Sequence, residues 1–156
     1  MFSEHKDWTR RSFLGESAAV VSAFTIVRPE MVRASAPARL KAGLVGCGGR
    51  GTQAVVNLLS GDAAVEVIAM GDLFADRLEA CLKDLHAPRY LLGNVRNVAR
   101  FTGRPAEDIA ASVSQRVNVD PERRFIGFDA YKQVLSCEID LVLLCAPPAY
   151  RPAHFE

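Results

Sequence analysis

The chain has no Cys-x-x-Cys pair, no clustered histidines, no internal repeat and almost no net charge. Its four cysteines (Cys47, Cys81, Cys137 and Cys145) are scattered, and no histidine joins them at ligand spacing, so no metal site is expected. A formal charge of +1 at pH 7 leaves no electrostatic footprint for nucleic acid and no polybasic patch for a membrane surface. The apolar run at 18–27 is too short to span a bilayer. What remains is the composition of a soluble globular chain, 49% hydrophobic and 24% charged over 156 residues, which fits one domain.

The first 36 residues differ from the rest. Thr9-Arg10-Arg11-Ser12-Phe13-Leu14 is a twin-arginine pattern, followed by the run at 18–27 and by Ala34-Ser35-Ala36, a small-x-small cleavage site. Residues 1–36 therefore read as a Tat-type signal, and residues 37–156 as a periplasmic domain carrying fourteen basic and fourteen acidic residues. Tat substrates cross the membrane already folded, which suits a protein that loads a cofactor in the cytoplasm. After signal removal no membrane association is expected.

The strongest chemical signal is Leu40-Lys-Ala-Gly-Leu-Val-Gly-Cys-Gly-Gly-Arg-Gly51, an apolar strand ending in Gly46-x-Gly48-x-x-Gly51. A second apolar run ends at Asp72, 21 residues after Gly51. Strand, glycine turn, helix and a carboxylate at that offset are the fingerprint of a dinucleotide-binding β-α-β unit. Gly46 permits the tight turn, Gly48 lets backbone approach a pyrophosphate, and Gly51 lets the helix pack close. The helix start presents free N–H groups and its positive dipole end to the phosphates, with Arg50 as an added cation. Asp72 is placed to accept hydrogen bonds from the ribose hydroxyls; it favours NAD over NADP, a preference that nearby Arg77 softens.

The pattern continues as β-α-β-α, which predicts an α/β fold with a parallel sheet. Strands are expected at 40–45, 65–70, 125–128 and 139–145, with helices at 52–59, 75–85 and 131–135. Between 86 and 124 the periodicity weakens, and the stretch reads as a surface insertion whose arginines face water, with a short helix from Pro105 to about Arg116. Strand order should reverse between the first and fourth strands, so 46–51 and 146–154 should meet at one crevice.

With these motifs in place, the chain resembles the N-terminal domain of the Gfo/Idh/MocA oxidoreductase family. The resemblance rests on Gly-Leu-Val-Gly-Cys-Gly-Gly-Arg-Gly (43–51), Gly-Asp-Leu-Phe-Ala-Asp-Arg-Leu (71–78), Phe-Asp-Ala-Tyr (128–131), Ile-Asp-Leu-Val-Leu-Leu-Cys-Ala-Pro-Pro (139–148) and Arg-Pro-Ala-His-Phe (151–155). It implies a Rossmann-like doubly wound parallel sheet that holds NAD or NADP, joined to a domain that binds a sugar or cyclitol. Hydride then passes between the nicotinamide and a carbon bearing a hydroxyl. The matching cofactor positions are Gly46, Gly48, Gly49, Arg50 and Gly51 in the phosphate loop, Asp72 at the ribose, Pro147 along the cofactor and His154 near the nicotinamide side.

The departures are large. The family's Glu-Lys-Pro segment with its lysine and the substrate domain with its catalytic histidine or aspartate are absent here, and only about four of six strands are present. The expectation is the leading part of an oxidoreductase for a sugar or polyol, inactive alone, with no catalytic residue to name and a homo-oligomer left open. A non-catalytic nucleotide-binding module is the alternative, and an S-adenosylmethionine methyltransferase a more distant one.

Overall fold

The computed structural model describes residues 39–150 and Pro152; the expected signal at 1–36 and the site candidate His154 lie outside the described residues. The elements are β1 (Leu40–Val45), α1 (Gly49–Gly61), β2 (Val65–Asp72), α2 (Ala75–His86), α3 (Pro88–Thr102), α4 (Ala106–Ser114), β3 (Arg124–Ile126), α5 (Ala130–Ser136) and β4 (Leu141–Leu144). The four strands make one parallel sheet in the order β3-β2-β1-β4. Parallel pairing follows from the connections, since each strand returns to the sheet through at least one helix.

Side chains of β1 alternate between two cores. Ala42 and Leu44 enter the larger core with Val55 and Leu59 of α1, Val67 and Met70 of β2, Leu85 of α2, Leu91 and Val95 of α3, and Ile109 and Val113 of α4. Val45 joins Ala69 and Val134 on the other face, where α5 lies. A Cβ on Gly43 or Gly71 would press on Val134, so bare backbone at both positions admits α5 close to the sheet. This second face is thinner: Phe125, Tyr131, Ile139, Val142 and Leu144 are only partly buried. No helix among the described residues is long and apolar enough to cross a membrane.

The predicted strands and helices recur with shifted ends. α1 starts at Gly49 rather than 52, because Gly48 takes the N-cap position in extended backbone. β4 is shorter than the apolar run around it, and Ile139 packs into the second core from outside the strand.

Two readings of residues 86–124 require correction. The stretch is not a surface insertion: α3 runs fifteen residues and buries Leu91 and Val95 against the core. Its limits carried recognisable signals, Pro88 at the first turn and Gly103 in a left-handed conformation (φ 69°) after the last. The apolar stripe is narrow, and the arginines beside it obscured the helical period. Nor do all the arginines face water, because Arg116 is 5% exposed.

Arg116 holds the far end of α1. Its guanidinium donates to the carbonyls of Leu59, of Asp62 at 2.5 Å and of Val65 at 3.1 Å, and to Ser112 O at 3.0 Å and Ser112 Oγ at 3.2 Å. The bond to Leu59 satisfies a carbonyl in the last turn of α1, those to Asp62 and Val65 tie the residues after the helix and the start of β2, and together they put positive charge at the negative dipole end of α1. Burial, reinforced by neighbouring Arg39, draws its pKa below the ordinary value.

Candidate functional site

Because the strands are parallel, their carboxyl ends share one side of the sheet, and the order reverses there between β1 and β4. The chain leaves β1 through Gly46, whose φ of +94° lies in the region that favours glycine. Its N–H donates to Gly71 O at 2.8 Å, tying the turn to β2. A Cβ there would come within 2.7 Å of Ala146 N and 2.8 Å of Cys145 C, so the loops after β1 and β4 meet in direct backbone contact.

Five residues on, Gly51 meets a second requirement. A Cβ at Gly51 would lie 1.9 Å from Gly46 O, so α1 can fold onto its own entry turn only with hydrogen at that position. The N-terminus of α1 has no side-chain cap and no acidic residue in its first turn. Free N–H groups and the positive dipole end therefore face the crevice with no carboxylate from the first turn of α1 itself to neutralise them. Gly49 and Arg50 are both exposed there. At Gly48 the nearest atom to an added Cβ is Arg77 Nη1 at 3.5 Å, and a Cβ on Gly49 would meet nothing within 4 Å.

Asp72 closes the arrangement from β2. Its Oδ2 accepts the Cys47 N–H at 2.6 Å and its Oδ1 accepts the Phe74 N–H at 2.9 Å. The carboxylate is thus held beside the glycine turn with lone pairs to spare, since each oxygen accepts more than one bond. Arg77 sits over the Phe74 ring, 5.6 Å from its centroid, bringing a cation to the same corner. Pro147 is exposed on the loop after β4, where its carbonyl accepts the Tyr150 N–H at 3.0 Å.

Of the predicted residues, Gly46, Gly48, Gly49, Arg50, Gly51 and Asp72 are brought together, and Pro147 stands on the facing loop. The sequence reading missed Phe74, which is 52% exposed two positions beyond the acid. With Ile126, Phe128 and Tyr150 it forms a set of exposed apolar side chains at the carboxyl ends of β2, β3 and β4. Exposed apolar groups gathered at one end of a sheet are the usual mark of a ligand or partner surface.

A cavity of about 740 Å³ lies elsewhere, between the last turn of α2 and residues 117–124, lined by Lys83, His86, Asp120 and Arg124 among others. Arg124 there donates to Val119 O at 2.7 Å, and no feature of this cavity matches the glycine motif. The crevice at the turn carries the convergent polar groups, so it is the better site. Neither a protein-family model nor a curated protein sequence matches the chain.

Proposed function

We propose that residues 37–156 are an incomplete Rossmann-like, doubly wound domain that binds NAD, with NADP as the second choice, and form the nucleotide-binding part of a sugar or polyol oxidoreductase. The observation that carries this reading is the 2.6 Å bond from Cys47 N–H to Asp72, which sets a carboxylate against a glycine turn at an uncapped helix start. The sheet order β3-β2-β1-β4 supports it, being that of the first four strands of dinucleotide-binding sheets.

In this reading the first N–H groups of α1 and Arg50 hold the pyrophosphate, and Asp72 accepts the ribose hydroxyls. Asp72 disfavours a 2′-phosphate by repulsion, while Arg77 beside Gly48 draws the balance back. The family resemblance matches Pro147 to the loop that runs along the cofactor, and His154, outside the described residues, to a position near the nicotinamide side. When bound, NAD supplies a nicotinamide carbon that accepts or returns hydride. Turnover waits on a base and a substrate pocket that we do not assign in this chain.

Calorimetric titration of the full chain tests the reading directly. NAD should bind saturably, and Gly48→Val or Asp72→Ala should each weaken binding roughly tenfold or more, the effect of losing about 1.5 kcal/mol of charge-assisted contact or close approach. Unchanged affinity in both variants would remove the basis of the assignment.

Export is proposed through the twin-arginine segment. With Arg10→Lys and Arg11→Lys together, the chain should accumulate in the cytoplasm unprocessed; normal cleavage and periplasmic recovery in a cell fractionation would refute a Tat signal.

A further inference from the structure

The cavity of about 740 Å³ beside α2 has the size of a small-molecule site, and none of its lining residues belongs to the glycine turn. Part of its lining is apolar and buried: Leu82 of α2, and Val117 and Val119 of the segment before β3. That segment is fixed to the sheet. Val67 N–H donates to Arg116 O and Asn118 N–H donates to Val67 O, both at 2.8 Å, so Val117 pairs with β2 as an isolated parallel bridge.

The charged groups of the lining come from three places. Lys83 and His86 stand in the last turn of α2, where they offset its negative dipole end. Arg124, from β3, brings a further cation, and Asp120 is the one carboxylate of the lining. Arg124 is already oriented: Nε and Nη2 donate to Val119 O at 3.1 and 2.7 Å, which uses two of the five guanidinium N–H groups and leaves the others for a ligand. The side chains of Lys83 and Asp120 have no hydrogen-bond or ion-pair partner among the described residues. His86 Nδ1 lies 3.1 Å from Ser114 Oγ; with the serine donating, Nε2 carries the ring proton and is a further donor.

We propose that this cavity is a binding site for a small organic carboxylate, its charge held by Arg124 and Lys83 and its carbon skeleton laid against Leu82, Val117 and Val119. Two fixed cations outweigh Asp120, so the field favours an anion. The apolar lining favours an organic acid over a bare inorganic anion, because only the former buries carbon there.

The probe is succinate, titrated into the full chain at low ionic strength without chloride and followed by backbone-amide NMR. Saturable shifts are expected at 82–87 and 117–124 and none at 46–51. Succinamide, the uncharged analogue, should move none of these resonances, and inorganic phosphate should bind about fivefold more weakly than succinate. Lys83→Met, at an exposed position, and Arg124→Met should each weaken succinate roughly tenfold, whereas Asp120→Asn should tighten it about threefold. Lys83→Met should leave NAD affinity unchanged, so this site and the nucleotide reading fail separately. No saturable shift with succinate, shifts confined to 46–51, an equal response to succinamide, phosphate bound as tightly as succinate, or parent affinity in both Lys83→Met and Arg124→Met would overturn the proposal.

Discussion

Replacing Arg116 with methionine is expected to destabilise the domain by about 3–5 kcal/mol, a third or more of the stability of an ordinary domain. Methionine fills much of the volume but donates no hydrogen bond. The carbonyls of Leu59, Asp62 and Val65 would then be left in a site that is nearly closed to water. Leaving buried acceptors without donors costs more than the net worth of the bonds themselves. The melting temperature, followed by circular dichroism, should fall by roughly 10–20 °C. Arg116→Lys should lie between, because one ammonium cannot serve α1, β2 and Ser112 together. A drop under about 3 °C for Arg116→Met would mean that water replaces the guanidinium freely and that the end of α1 does not depend on it.

Gly51→Ala should produce the other large effect, on both stability and binding. One methyl group placed 1.9 Å from Gly46 O forces either the peptide after β1 or the first turn of α1 to move. Neither is a flexible side chain that can swing aside, so a loss of about 3 kcal/mol is expected. The displaced turn would also carry Cys47 away from Asp72, and NAD affinity should fall beyond tenfold. Gly49→Ala provides the contrast two positions earlier, where an added Cβ meets nothing within 4 Å. It should leave the fold intact and raise stability by about 0.5–1 kcal/mol through helix propensity. Paired thermal melts of the two variants separate steric exclusion from a general intolerance of substitution in the loop; equal melting temperatures would show that the close approach at Gly51 is relieved without cost.

Much of the sheet was legible because its residues answer to local rules. β1 and β2 are near-continuous apolar runs, interrupted only by Lys41 and Glu66, with Gly46 after the one and Asp72 at the end of the other, and such runs have few alternatives once both faces are covered. The glycine turn was legible for a different reason: Gly46 and Gly51 each meet a steric demand that other residues fail, so spacing alone carries the geometry. α3 was harder. Its buried stripe is narrow, and the arginines, asparagines and glycine that fill its outer face resemble a loop when read by composition. Pro88 and Gly103 marked its ends, but end signals without a clear period between them were outweighed.

Arg116 shows where local reading stops. Arg116 reaches carbonyls 51 to 57 positions away, and its worth depends on where α1 happens to end in space. One arginine among the several scattered over 86–124 carries no mark of that.

The sequence by itself determined the parallel α/β character, the turn at 46–51 and the carboxylate that ends β2, since backbone sterics and hydrophobic period act over a few residues. Tertiary structure alone decided that Asp72 clasps the Cys47 N–H, that Arg77 lies beside Gly48, and that Arg116 is buried. Each of those depends on the packing of whole helices against the sheet, a sum over many weak contacts that no short stretch of residues encodes.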